Sequence, residues 1–235
     1  MKVRVKFAKE GAMKFVGHLD IMRYFQKAIR RAGIDIAYSE GFSPHMIMSF
    51  ANPLSVGLTS GGEYFDMQIR TAFPSAELVR RLNDVMVEGM RVISAVQVPE
   101  DKAGKAMSLV EAADYRISFR ESQPLPDDWQ VRFAAFMERT SIIIRKKTKK
   151  GEKEMEIRPL VYEWHFEGDA VFIKVSSGSS DNLRPEYLME AFFEAEGLIL
   201  EPFTLMIHRL EIYVDRGSEG RHDFCSLEAL GQIIE

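Results

Sequence analysis

Cysteine is nearly absent from this chain, and that scarcity restricts the chemistry it can carry. The sequence has one, Cys225, among 235 residues. A single thiol cannot form a disulfide within the chain, nor can it supply the ligands of a cysteine-based zinc or iron–sulfur site. The sequence also lacks an apolar run near the roughly 20 residues that span a bilayer, and Met1–Arg4 opens a strand pattern rather than a signal peptide. We therefore expect a cytoplasmic protein with no membrane partner and no cofactor of its own.

Several common catalytic signatures are missing as well. The sequence contains no Gly-x-Gly-x-x-Gly, no phosphate-binding Gly-x-x-x-x-Gly-Lys-Ser/Thr, no nucleophile elbow and no His-Glu-x-x-His. The net charge of −4 is unevenly distributed, because Met1–Val98 carries 13 Lys and Arg against 9 Asp and Glu. This asymmetry argues against a nucleic-acid coat over the whole molecule, but it leaves room for a basic face on the first half.

The order of apolar patterns predicts an α+β fold of two tandem ferredoxin-like (βαββαβ) halves with antiparallel sheets. Strands alternate apolar and polar residues, as in Val3, Val5 and Phe7 with Lys2, Arg4 and Lys6 on a basic outer face, and helices repeat apolar residues every three or four positions. The expected parts are residues 1–100 as the first half, 101–111 as a linker, 112–216 as the second half with a basic hairpin, and 217–235 as a tail that can form a short docking helix.

The first predicted helix, Gly17–Ala32, carries the most informative pattern. On its polar side Asp20 is the single anion among four cations, which are Arg23, Lys27, Arg30 and Arg31. Such a strip can bind the phosphates of RNA or another anion, or it can be the solvated face of an amphipathic helix. His18 begins this helix, where an imidazole can act as a general base, an anion ligand or a cap.

Two further segments are candidate binding regions. The loop Tyr38–Phe50 combines Gly41 and Pro44 with aromatic faces and polar tips, and its candidate RNA or anion contacts are Tyr38, Phe42 and His45. A metal held by His18, His45 and Asp66 is conceivable, but their spacing matches no ligand pattern, so we predict no metal site. The predicted hairpin of the second half has a cationic tip that can contact RNA or simply protect a sheet edge, and its candidates are Arg145, Lys146, Lys147, Lys149 and Lys150.

A larger set of spaced landmarks carries a resemblance to a known family. These landmarks are Phe15–Arg23, Arg30–Gly33, Tyr38–Pro44, Ser49–Phe50, Pro53–Gly57 and Glu63–Asp66, with Ile157–Pro159 and Leu183–Pro185 in the second half. They resemble the signature of the radical SAM-linked protein family, a bacterial domain of unknown function fused to or encoded beside a radical SAM protein with a cobalamin-binding-type domain. The resemblance implies a radical SAM protein as partner. It implies no established activity, so no catalytic residue is carried over.

These observations favour a non-catalytic accessory module that presents RNA, tRNA or rRNA, or another substrate to a radical SAM partner enzyme. One alternative is a metal-independent endoribonuclease in which His18 is the acid or base and Tyr38 or His45 assists. Another is a protein-binding scaffold without RNA contact. The RNA hypothesis expects His18, Arg23, Tyr38 and His45 to surround a single electropositive cleft.

Overall fold

The computed structural model describes residues 1–100, 105–148, 151–179, 181–218 and 220–235. They form two units, and the first is assembled from both ends of the chain. It comprises Met1–Ala112 together with Arg209–Glu235, whereas the second comprises Ala113–His208. The C-terminal segment is therefore part of the first unit, which differs from the separate tail expected at residues 217–235. Both units mix helices with mostly antiparallel strands, so the fold is α+β.

The elements follow the expected order closely. The N-terminal part contains β1 (Lys2–Lys9), α1 (His18–Arg31), β2 (Met48–Ala51), β3 (Thr59–Gln68), α2 (Ser75–Asn83), β4 (Met90–Val98) and α3 (Ala106–Leu109). The middle part contains β5 (Ala112–Phe119), α4 (Trp129–Met137), β6 (Ile143–Thr148), β7 (Gly151–Glu156), β8 (Val161–Glu167), β9 (Ala170–Ser176) and α5 (Pro185–Ala195). The C-terminal part contains β10 (Leu205–Asp215) and β11 (Phe224–Ser226).

In the first unit, β1 lies between β3 and β4, β2 pairs with β3, and each of these pairings is antiparallel. Alternation along β1 directs Val3, Val5 and Phe7 into the core. There the ring of Phe7 lies 4.7 Å from that of Phe25 on α1, measured between centroids. The apolar stripe of α1 thus packs on the core face of the sheet, as its periodicity predicts.

The opposite face of β1 does not face water, which corrects the expected basic outer face. Arg4 is only 1 % exposed, and its guanidinium donates to both oxygens of Asp66, at 2.8 and 3.2 Å. The ammonium of Lys6 lies 2.6 Å from Glu211 and 2.7 Å from Glu228. These partners show the physical cause, because the C-terminal segment covers this face and supplies both glutamates.

The C-terminal segment docks through a short helix of the 3₁₀ type. This helix, Leu227–Leu230, follows β11, and Leu227 is fully buried. Gly231 approaches β4 so closely that a Cβ there would lie 2.4 Å from the side chain of Val96. Gln232 then continues with a backbone bridge to Gln97. The segment thus contacts the first unit through both the helix and the bridge.

In the second unit, β5 lies between β9 and the first residues of β10, and β8 pairs with β9. Its core is aromatic, and the ring centroids of Phe133 on α4 and Phe192 on α5 are 5.1 Å apart. The strands β6 and β7 form a separate two-stranded hairpin. Within the described ranges, none of the helices combines the length and the apolar character that crossing a bilayer requires.

Candidate functional site

A small pocket at the N-terminus of α1 brings ionisable side chains to the edge of the first unit's core. We call it the α1 pocket, and its lining residues are Phe7, Lys9, His18, Ile21, Phe50, Pro53, Leu54 and Glu63. Its volume is about 10 Å³, which is close to the space that one water molecule needs. Three of the eight lining residues are ionisable, although the rest of the wall is mostly apolar. The α1 pocket therefore favours a small polar group over an extended ligand.

Lys9 is the least expected member of the α1 pocket. The alternation of β1 continues the core-facing series of Val3, Val5 and Phe7 to position 9, and a β-bulge lies between Phe7 and Lys9. Lys9 is 3 % exposed, and its ammonium has no hydrogen bond or ion pair with any described residue. Burial lowers the pKa of Lys9, the charge of Arg209 lowers it further, and Glu63 acts in the opposite direction. An ammonium at the end of a mostly buried side chain is costly unless water or an anion reaches it.

Glu63 faces the α1 pocket while it is held by a buried arginine. The Nη2 atom of Arg209 lies 2.6 Å from Glu63 Oε1, and its Nε lies 2.9 Å from the same oxygen. The same Nη2 donates to the carbonyl of Asn52 at 2.7 Å. Because one of the two cations near Glu63 is already paired with it, the α1 pocket keeps an excess of positive charge when Lys9 is protonated.

The wall of the α1 pocket also contains strained backbone. Asn52 has φ of 37°, in the left-handed region, and it directly precedes Pro53. A residue before proline prefers an extended conformation, so this geometry needs support from its surroundings. The hydrogen bond from Arg209 to the Asn52 carbonyl provides it. Backbone strain of this kind is concentrated at functional sites.

His18 opens α1 and lines the pocket with its ring. The imidazole is half-buried and lies edge-on to Phe50, with ring centroids 5.4 Å apart. Burial lowers the pKa of His18, whereas the charge of Glu63 raises it, and the net direction is downward. Gly17 gives the helix no side-chain cap, and the amides of Asp20 and Ile21 both donate to the Gly17 carbonyl. The amides of His18 and Leu19 are thus the ones left without an intrahelical acceptor.

The loop residues expected to meet His18 lie elsewhere. His45 lines a different pocket, together with Lys2, Asp66 and Lys105, and its Nδ1 is 2.9 Å from the Ser39 hydroxyl. The expected cleft shared by His18 and His45 is therefore not formed. The ring of Phe42 is fully exposed and Tyr38 is 38 % exposed, so both aromatic faces are available to a ligand.

The cations of α1 form a continuous exposed surface. Arg23, Lys27, Arg30 and Arg31, which we call the α1 strip, are all exposed. Arg23 is 3.1 Å from Asp20, in an i,i+3 ion pair with both side chains mostly in water. In the part of the chain that the structure describes, Lys27, Arg30 and Arg31 have no ion-pair partner. The α1 strip thus carries positive charge that the fold does not neutralise.

The hairpin of the second unit is less basic than its sequence suggests. Arg145 lies 3.5 Å from Glu154, and the register places Lys147 opposite Glu152. Strand β6 includes Lys146 and Lys147, whose side chains are outside the described part of the structure. Lys149 and Lys150 lie outside the described residues altogether. Among the side chains of the hairpin that the structure describes, Glu154 thus compensates the charge of Arg145.

No metal centre is formed by the described residues, where no three His, Cys, Asp or Glu side chains gather as metal ligands. The conceivable trio of His18, His45 and Asp66 is separated by the sheet itself. Glu63, beside His18, belongs to the core face of β3, whereas Asp66 belongs to the face that pairs with Arg4. The carboxylate of Asp66 is also occupied, since it accepts from Arg4 and from the amide of Ala106.

Comparison with protein families assigns the chain to one of them. A family described as "Uncharacterized protein conserved in bacteria (DUF2344)" matches residues 2–185. The chain belongs to this family. Six residues of the landmark ranges given in the sequence analysis line the α1 pocket of this DUF2344 protein, and they are His18, Ile21, Phe50, Pro53, Leu54 and Glu63. The comparison with curated proteins found no match.

Two solved structures show weak similarity to this DUF2344 protein. One is a chain from the crystal structure of a Cbf5-Nop10-Gar1 complex, with 11 % identity and a TM-score of 0.48 over 89 % of this chain and 48 % of that chain. The present chain thus spans about half the length of that one. The other is an unknown protein from Galdieria sulphuraria, with 12 % identity and a TM-score of 0.24 over 91 % and 98 % of the two chains. Both likenesses are too weak to identify a fold class.

Sequence reasoning missed two residues of the site, Lys9 and Arg209. The alternation of buried and exposed residues along a strand could have identified both of them. Lys9 continues the core-facing series 3, 5, 7 of β1, and Arg209 is in phase with Ile207, which is buried on β10. A cation in phase with buried apolar residues indicates a buried ion pair or a ligand contact.

Proposed function

We propose that this DUF2344 protein is a non-catalytic module that binds RNA, such as tRNA or rRNA, and presents it to a radical SAM partner enzyme in the cytoplasm. The observation that carries the proposal is the unneutralised α1 strip. Lysine and arginine that face phosphates supply most of the affinity of sequence-independent nucleic-acid binding. The partner follows from the sequence resemblance to the radical SAM-linked family.

The helix α2 shows what a solvated charged face looks like in the same unit. Arg80 donates to Glu77 and Asp84, and Arg81 donates to Glu77. Those arginines are neutralised at i,i+3 and i,i+4 spacing, which gives ordinary helix-stabilising pairs. Lys27, Arg30 and Arg31 occupy the equivalent last turns of α1 without such partners. The contrast favours an external anion as the partner of the α1 strip.

The dimensions of the α1 strip suit a short stretch of phosphate backbone. Arg23 and Arg31 are eight residues apart, so the strip is about 12 Å long at 1.5 Å per residue. Its four side chains fall within an arc of about 100° at 3.6 residues per turn. Phosphates are spaced 3.4 Å apart along one strand of a duplex, and their spacing is somewhat larger in a more extended single strand. A row of this length can therefore contact about two or three phosphates of a single strand.

We propose further that the two units are tandem ferredoxin-like halves on which these surfaces are displayed. The support is the order of elements and strands. The first unit runs β1-α1-β2-β3-α2-β4, with β1 between β4 and β3, and both β2 and β10 pair with β3. The second unit runs β5-α4-β8-β9-α5 and ends in the first residues of β10. There β5 lies between β9 and those residues, β8 lies beside β9, and β6 and β7 are inserted after α4.

The endoribonuclease alternative has less support. It requires Tyr38 or His45 beside His18, and His45 lines another pocket. Burial lowers the pKa of His18, which favours the neutral form of its ring. A neutral imidazole can bind an anion as a hydrogen-bond donor, so this property does not require catalysis.

The RNA proposal can be tested by the salt dependence of binding. Fluorescence anisotropy with a labelled single-stranded RNA of mixed sequence measures the association constant K at several salt concentrations. A plot of log K against the logarithm of the salt concentration has a slope of about −0.7 for each phosphate contact. Arg30→Ala/Arg31→Ala is expected to make the slope less negative by about 1.4. Arg80→Ala/Arg81→Ala is the matched control, because it also removes two adjacent arginines from the last turn of a helix. No binding at low salt, or equal losses in both variants, would reject the α1 strip as an RNA surface.

The partner can be tested separately. The chain is co-expressed with a radical SAM protein of the kind that the sequence resemblance implies, and the two are co-purified with and without nuclease treatment. Co-purification that nuclease abolishes supports RNA bridging between the two proteins. Co-purification that survives nuclease, with no RNA affinity of the isolated chain, identifies a protein-binding scaffold instead.

A further inference from the structure

We infer that the α1 pocket binds one oxyanion, the terminal phosphate of an RNA strand, through the Lys9 ammonium, the His18 ring and the first amides of α1. The RNA part of this inference rests on the proposed function, whereas the oxyanion site itself rests on the α1 pocket alone. The site is distinct from the α1 strip, whose closest member, Arg23, does not line the pocket.

The first argument is that the single carboxylate of the α1 pocket, Glu63, faces two cations, Arg209 and Lys9. Glu63 is already paired with Arg209 at 2.6 Å, so Lys9 is the uncompensated charge. Its side chain is 3 % exposed and has no partner among the described residues. A helix N-terminus adds partial positive charge at the same place, and its amides are natural ligands of phosphate. An oxyanion in the α1 pocket would satisfy Lys9 and the amides of His18 and Leu19 together.

The second argument is size. With a volume of about 10 Å³, the pocket admits one oxygen-sized atom. The remaining oxygens of the anion then lie at the mouth, over the first turn of α1. An internal phosphodiester carries a sugar on each side and must fit both past the wall formed by Phe50, Pro53 and Leu54. A terminal phosphate carries one ester and is free on its other side, so it can enter end-on.

The third argument is charge and direction. A phosphate monoester carries a charge of about −1.5 to −2 at pH 7, which is more than a phosphodiester offers to a single buried lysine and a helix end. The α1 pocket lies at the first residue of α1, and the α1 strip continues along the same helix. Lys27 is nine residues from His18, or about 13 Å along the axis. His18 and Ile21, which line the pocket, lie on the side of α1 opposite the α1 strip at 100° per residue. A strand whose terminal phosphate occupies the pocket therefore reaches the strip by passing around the first turn of the helix.

The ionisation of the α1 pocket agrees with such a ligand. Burial is the main reason that the pKa of Lys9 is lowered, and the nearby Arg209 adds to the effect. A phosphate beside the ammonium would favour its charged form and oppose this shift. The neutral ring of His18 can donate one N–H to a phosphate oxygen without adding a second buried charge.

The test compares two versions of one labelled RNA oligonucleotide, with a 5′-phosphate or a 5′-hydroxyl. We expect the wild-type protein to bind the phosphorylated version about tenfold more tightly, as for one charge-assisted contact. Lys9→Met keeps the length of the side chain and removes the charge, so the preference should disappear. Lys14→Met is the control, because Lys14 lies on the turn before α1 and does not line the α1 pocket. A wild type without preference, or a Lys9→Met variant that keeps it, overturns the inference.

A second measurement separates this inference from the proposed function. Inorganic phosphate is titrated into the wild type and Lys9→Met at constant ionic strength, and the ring resonances of His18 are followed by NMR. A saturable shift in the wild type that is absent in the variant supports an oxyanion site even if no RNA binds. RNA binding without a phosphate-dependent shift overturns the pocket and leaves the α1 strip. Thermal unfolding checks the fold of Lys9→Met, which should melt no lower than the wild type, since it removes an unpaired buried charge.

Discussion

Replacing Asp66 with asparagine should destabilise the first unit far more than the same change at an exposed carboxylate. Asp66 and Arg4 are 3 % and 1 % exposed, and they make a two-pronged contact. Asparagine has nearly the same shape, so the change removes the negative charge with little loss of packing. The guanidinium of Arg4 is then left in the interior without its carboxylate.

The magnitude follows from the burial of the pair. Breaking a buried ion pair by removing one partner costs about 3–5 kcal/mol, because an uncompensated charge remains in the interior. Lys2 also loses a carboxylate oxygen that lies 3.4 Å from its ammonium. For a chain of this size, about 3 kcal/mol corresponds to a fall in Tm of roughly 6–12 °C.

The assay is thermal unfolding by circular dichroism, with amide hydrogen exchange in β1 and β3 to locate the effect. The control is Asp20→Asn, which breaks the Arg23 pair whose side chains are 67 % and 65 % exposed. An exposed i,i+3 pair contributes at most about 0.5 kcal/mol, so Tm should change by less than about 2 °C. Equal and small shifts in both variants would refute the assignment of Arg4 and Asp66 to a buried pair.

Two further changes probe how the C-terminal segment joins the first unit. Gly62→Ala should destabilise the first unit by about 1–3 kcal/mol in urea unfolding. The reason is that the Cβ of the alanine would lie 2.6 Å from the backbone at Glu211. An unchanged urea midpoint would mean that β3 and β10 are not this close. Burial raises the pKa of Glu228, but hydrogen bonds from Lys6 and Ser94 outweigh it, so the net pKa is below the usual 4.5. Its stabilising effect is therefore present above pH 4.5 and is lost as the pH falls through the lowered pKa. Glu228→Gln should flatten the acid side of the stability–pH curve, and a curve of unchanged slope would contradict this.

The local elements could be predicted from periodicity, because each pattern reflects a short-range contrast between core and water. The three- and four-residue spacing of α1 predicted a helix at Gly17–Ala32, and the structure has His18–Arg31. Apolar residues that follow Asn83 also pack on the core, but they do so from irregular chain beyond the end of α2. An apolar pattern alone therefore does not fix where a helix ends.

The faces of the strands could not be assigned by the same reasoning. Alternation divides β1 into two faces, but it does not state which segment covers each one. Arg4 donates to the carbonyl of Leu227, a separation of 223 residues along the chain. No local pattern encodes a partner at that distance. The charged members of β1, Lys2, Arg4 and Lys6, therefore looked like a solvent face.

Only the part of the candidate site that lies within one local element could be predicted from the sequence. His18 and the α1 strip are recognised within one helix, where spacing fixes the side on which a residue lies. Arg209 enters the site from the other end of the chain, and its role depends on the buried carboxylate of Glu63 and on the strained carbonyl of Asn52. The separation of His45 from His18 also depended on how the loop Tyr38–Phe50 folds back, with Tyr38 bridged to Met46.

The interrupted connectivity of the first unit has a consequence for synthesis. Domains usually fold in the order in which the ribosome makes them, from the N-terminus. Here residues 113–208 are complete while the first unit still waits for Arg209 and the residues after it. Until those residues emerge, Glu63 has no arginine and Lys6 has neither of its glutamates. Residues 209–235, which are translated after the second unit, thus complete the first unit.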